Sequence, residues 1–82
     1  MELLHFTADW CNPCKRMEPV IKEFLAENPE IVYTKIDVDD NSARAQKHGV
    51  MGIPTFISID GEYEKSRATG TILKTELKSL FE

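Results

Sequence analysis

Leu3-Leu4-His5-Phe6-Thr7-Ala8-Asp9-Trp10-Cys11-Asn12-Pro13-Cys14-Lys15 is the stretch whose reading decides the fold. Leu3 to Thr7 is short, apolar and bounded, which predicts a buried strand. From Cys14 to Glu27 the apolar residues are Met17, Val20, Ile21, Phe24 and Leu25, the spacing of one helical face. Pro13 fits a first helical turn, where its missing N–H is not needed. Pro19 lies inside the pattern and is expected to kink the helix, and Asn28-Pro29 ends it. The two cysteines therefore stand where a strand gives way to a helix.

Cys11 and Cys14 are the only cysteines, with Asn12 and Pro13 between them. A disulfide closing so small a loop removes little chain entropy and makes a poor staple. A secreted mini-protein would space more cysteines further apart. That leaves a redox pair, half of a metal site, or a coincidental reduced pair. Zinc wants four ligands, and the remaining soft ligands, His5 and His48, do not form a typical spaced pair, so redox chemistry is favoured.

Outward from this stretch, Ile31 to Val38 is β-rich and predicts a second strand. Asp39-Asp40-Asn41 reads as a turn, with Asp40 or Asn41 capping a short helix over Ser42 to His48. Gly49 is placed to end that helix in a left-handed conformation, and His48 to complement its dipole from the surface. Thr55 to Ile59 is a third strand, and Asp60-Gly61 signals a type I′ hairpin into a fourth over about Glu62 to Ala68. After Gly70, Leu73, Leu77, Leu80 and Phe81 share one face of a closing helix. Met17 and Met51 are expected in or near the core. The order β-α-β-α-β-β-α implies an α/β fold, with a mixed four-stranded sheet and helices on both faces.

The chain has 82 residues, which predicts a single domain over 1–82. Ten Lys and Arg stand against fourteen Asp and Glu, with no basic cluster, so nucleic acid is not an expected partner. No apolar run approaches the roughly 20 residues of a membrane helix. Met1 to His5 lacks the basic start and long apolar stretch of a signal peptide, so a cytoplasmic location is expected. Asp37, Asp39 and Asp40 lack the spacing and distant Glu of a calcium loop and read as a solvated turn. No metal site is expected, and no Gly-rich phosphate loop is present.

The first turn of a helix carries unpaired N–H groups and a partial positive charge, which favours a thiolate there. The spacing puts Cys11 at the helix mouth, exposed enough to attack a substrate disulfide. Cys14 lies about one turn in, shielded but able to resolve the mixed disulfide. Pro13 stiffens the link, and Asn12 is expected to tune the balance between dithiol and disulfide.

Trp10-Cys11-Asn12-Pro13-Cys14-Lys15 followed by Pro19, together with Gly52-Ile53-Pro54-Thr55, resembles the thioredoxin family, over nearly the whole chain. Gly61 and Gly70 match as well. The resemblance implies a protein-disulfide reductant and electron carrier in cell redox homeostasis. It would need no cofactor of its own. Its partners would be disulfide-containing proteins and a thioredoxin-reductase-type electron donor, and it would act as a monomer. It implies a cis Pro54 facing the cysteines, the alternative being an ordinary trans proline opening a strand. It also implies a flat apolar substrate surface formed by Trp10, Pro13, Gly52, Ile53, Pro54 and Gly70, suited to an extended peptide. Trp10 could instead be a core aromatic.

Two departures from the family pattern stand out. The family begins with a further strand and helix, so the Ile31–Val38 strand is expected at a sheet edge, blunted by Lys35 and Asp37. One sheet face is also expected to lose one of the helices that cover it in the family. The family's buried Asp is replaced by His5. His5 is either a proton shuttle that deprotonates Cys14, suited by an unperturbed pKa near 6.5, or a hydrogen-bonded core histidine. Lys35 matches the lysine that pairs with the missing carboxylate and is expected to turn outward. Two other functions compete. One is a glutaredoxin-like, glutathione-linked reductant, against which Thr55 follows Pro54 where that family has Thr before it. The other is a redox-sensing interaction module without turnover.

Overall fold

The computed structural model describes residues 1–82. Its elements run β1 (Glu2–Thr7), α1 (Asn12–Glu27), β2 (Val32–Asp37), α2 (Ser42–Lys47), β3 (Thr55–Asp60), β4 (Tyr63–Thr69) and α3 (Lys74–Ser79). The sheet order is β2-β1-β3-β4, with β1 and β2 parallel and the other pairs antiparallel. The expected mixed four-stranded sheet is thus present, and β2 is an edge strand.

Two apolar layers sandwich the sheet because side chains alternate along β1. Leu3 joins Met17, Ile21 and Phe24 of α1, Phe56 of β3 and Leu77 of α3. Leu4 and Phe6 face the other way, towards Ile36, Ile57 and Ala45 of α2. Helices therefore cover both faces. On the α2 face, His48 extends the cover, its ring 5.7 Å from that of Phe6. Burial and the neighbouring cations Lys47 and Arg44 lower its pKa.

The first helix begins at Asn12 with Cys11 as its N-cap and runs as one element with Pro19 inside it. Two local details differ from the sequence expectation. The hairpin turn is Gly61-Glu62, since Asp60 still pairs with Tyr63. A type I′ turn needs positive φ at both central residues, and only Gly61 has it, at 66°. β4 also carries an extra residue, since Ser58 pairs Ser66 but Ile59 pairs Glu64. The short α2 receives no side-chain cap from Asn41. No helix is long and apolar enough to cross a membrane.

Candidate active site

Cys11 and Cys14 are joined as a disulfide, with Cα atoms 5.2 Å apart. Cys11 has extended backbone (φ −89°, ψ 102°) at the N-cap of α1, and its Sγ accepts the Cys14 N–H at 3.2 Å. The sulfur thus takes the place an N-cap oxygen usually holds. Pro13 contributes no N–H at this end, so the Cys14 amide is among the few donors available there. The expectation of an open first sulfur is corrected for this disulfide form: Cys11 is only 4% exposed and Cys14 1%. Both pack against Ala8, Val38 and Ile53.

The second part of the site is the loop before β3. The Ile53–Pro54 bond is cis, as expected. Pro54 is buried, so its ring shapes the loop and offers no open surface in this form. Four bonds brace the segment. Val50 N–H donates to Ala45 O at 2.9 Å and Gly70 N–H to Pro54 O at 2.7 Å. Thr55 Oγ1 donates to Gly52 O at 2.5 Å, and Arg67 Nη2 to His48 O at 2.5 Å. Gly70 has φ 96°, a conformation that favours glycine, and this brings its amide onto the Pro54 carbonyl.

Trp10 is 67% exposed and not a core aromatic. Its Nε1–H donates to Asp39 Oδ2 at 2.8 Å, and the Asp39 N–H in turn donates to Asp37 Oδ1 at 2.8 Å. Asp39, read from sequence as a solvated turn, is therefore the group that orients the indole. Met51 is fully exposed, which corrects its placement near the core; Met17 is fully buried as expected. Trp10, Val38, Val50, Met51, Gly52 and Ile53 line an apolar cleft of about 360 Å³ beside the dithiol.

His5 occupies the other side. It is fully buried, with its ring stacked on Phe56 at 4.7 Å. Its Nδ1 lies 2.9 Å from Tyr33 Oη, while Nε2 is buried with no hydrogen-bond partner. Burial, and secondarily Lys35, pushes its pKa down to about 4, against a smaller opposing pull from Glu18. Burial and Glu18 push the Tyr33 phenol up to about 12. Both groups are therefore neutral near pH 7, and His5 is a weaker base than its ordinary pKa implies. Lys35 lies beside His5 in the β1–β2 register but turns outward to Glu18 on α1, Nζ to Oε1 3.0 Å. Tyr33, Glu18, Asp39 and Met51 were not singled out as site residues by the sequence. No group of three or more His, Cys, Asp or Glu side chains is arranged to hold a metal ion.

The thioredoxin family model matches residues 1–82. The chain belongs to the thioredoxin family. It is 38% identical over 68 residues to the thioredoxin of Chlamydia caviae, covering 83% of this chain and 67% of that protein. The Chlamydia trachomatis thioredoxin is 36% identical over 78 residues, covering 95% and 76%. Among solved structures, thioredoxin NaTrxh from Nicotiana alata superposes with a TM-score of 0.89 at 41% identity, covering 95% of this chain and 67% of that one. A mutant thioredoxin from Halobacterium salinarum gives 0.84 at 42%, covering 96% and 69%. Members of the family are disulfide oxidoreductases, and Cys11 and Cys14 supply the C-x-x-C dithiol of this one. The family acts on disulfide substrates and is recharged by thioredoxin reductase.

Proposed function

We propose that residues 1–82 act as one domain, a cytoplasmic protein-disulfide reductant and electron carrier in which Cys11 attacks and Cys14 resolves. The hydrogen bond from the Cys14 amide to Cys11 Sγ carries this reading. A charged acceptor roughly doubles the strength of such a bond, so the amide and the helix opening favour Cys11 as thiolate. The Cys11 thiolate attacks one sulfur of a substrate disulfide and expels the other as thiolate. Cys14 then loses its proton and attacks Cys11. The Cys11–Cys14 bond forms, and the second substrate sulfur leaves.

Trp10, Pro13, Gly52, Ile53 and Gly70 receive the substrate backbone around the dithiol, with Pro54 fixing the loop and Met51 adding an exposed apolar side chain. Asn12, Pro19 and Lys35 tune the helix and its charge. His5 takes the Cys14 proton. The role follows from helix geometry: Cys14 lies one turn before Glu18, whose partner Lys35 pairs in register with His5.

A Cys14→Ser variant tests the order of attack. It is expected to accumulate stable mixed disulfides through Cys11 and to lose insulin reduction, whereas Cys11→Ser forms none. Trapping through Cys14 in the Cys11→Ser variant at the same rate would reverse the two roles. Turnover with glutathione but not with a thioredoxin reductase would replace the electron donor.

A further inference from the structure

His5 has two ring nitrogens in different surroundings. Nδ1 meets the Tyr33 hydroxyl at 2.9 Å, and Nε2 is buried without a partner. Tyr33 is half-buried on the edge strand β2. With Glu18, Lys22 and Lys35 it lines an open groove between α1 and β2. The phenol thus both touches the sealed imidazole and borders a solvent-facing groove. A neutral imidazole has one N–H, and a phenol can either donate to Nδ1 or accept from it.

We propose that Tyr33 is a positioning residue that sets the His5 tautomer and passes protons between the buried imidazole and the groove, so that the tautomer alternates with the state of the dithiol. This rests on His5 as the proton acceptor for Cys14. In the dithiol form, Nδ1–H donates to Tyr33 Oη and Nε2 offers its lone pair. When Cys14 attacks the mixed disulfide, its proton moves to Nε2. Nδ1 releases its proton to Tyr33 Oη as the phenol releases its own to water in the groove. One S–S bond forms, one breaks, and the proton lost by Cys14 leaves through the groove. The imidazole and phenol both end neutral, with the hydrogen now on Nε2 and Tyr33 donating to Nδ1. When the reductase opens the disulfide, the path runs backwards: Nε2–H protonates the departing Cys14 thiolate, Tyr33 gives its proton to Nδ1, and water restores the phenol.

The route has a physical reason. A cation held in this site is disfavoured by burial and by Lys35, against a smaller opposing pull from Glu18. Handing on one proton as another arrives keeps the imidazole neutral.

Two measurements test this. Nitrogen-15 NMR of His5 in the native protein reads the tautomer in each redox state. The hydrogen is expected on Nδ1 in the dithiol and on Nε2 in the disulfide; the same tautomer in both overturns the proposal. Reaction with Ellman's reagent separates the steps, since attack by Cys11 releases a first thionitrobenzoate and resolution by Cys14 a second. Tyr33→Phe is expected to slow the second release about tenfold or more, leave the first unchanged and alter the pH profile of the second. A surface Tyr63→Phe variant serves as the control. If His5→Gln slows resolution but Tyr33→Phe does not, the Tyr33 proposal falls and the His5 role stands. If neither slows it, both fall. Should Tyr33→Phe not fold, the NMR result on the native protein decides.

Discussion

On the α1 side of the sheet, His5 is sealed from solvent, stacked on Phe56 and held by Tyr33. On the α2 side of the same dithiol, Trp10 and Met51 stand out from the surface, with the indole tethered to Asp39. The two sides obey different physics. Desolvation makes a charge costly, so the buried side governs proton movement. Apolar surface left in water gains by being covered, so the open side governs docking. One disulfide can therefore be tuned in reactivity and in partner choice by separate residues.

The largest test of this contrast concerns acid. The folded-state pKa of His5 is about 4, below its ordinary 6.5, so the unfolded chain binds more protons between those values. Stability from this source is complete above pH 6.5 and is lost as pH falls towards 4. The loss is on the order of 3 kcal/mol. Urea unfolding of the native protein and His5→Leu across this range is expected to show a steeper acid loss in the native protein. Equal slopes would place His5 in a wetter site than described.

A smaller effect is expected on the open side. Met51→Ser is expected to raise KM several-fold for disulfide peptides with apolar flanking residues, about 1 kcal/mol, while kcat and the unfolding midpoint stay nearly constant. A fall in kcat with unchanged KM would break the division between docking and reactivity.

The smallest concerns Lys35 and Glu18, whose side chains are 51% and 53% exposed. Removing the pair is expected to change stability by under about 1 kcal/mol. Lys35→Met is nevertheless expected to raise the His5 pKa, because Lys35 lowers it. An NMR titration of His5 checks the direction.

The strand, helix and hairpin order was legible because periodicity and turn residues agree with the tertiary structure. The dithiol and the Pro54 loop were legible because they are short local motifs. Residues whose roles depend on distant partners were not. Tyr33 is 28 positions from His5, and Asp39 is 29 from Trp10. In sequence one is a strand aromatic and the other a turn acid. Met17 and Met51 are the same residue type, and only the fold places one in the core and the other in solvent. The extra residue on β4 leaves no mark in an alternating pattern.

The braced loop before β3 has a consequence for change over time. Its shape is fixed by hydrogen bonds to main-chain groups of Val50, Gly52, Pro54 and His48, none of which involves the Met51 side chain. New chemistry at position 51 can therefore be tried on an unaltered frame, and a lineage can change its clientele there without rebuilding the machinery that breaks the sulfur–sulfur bond.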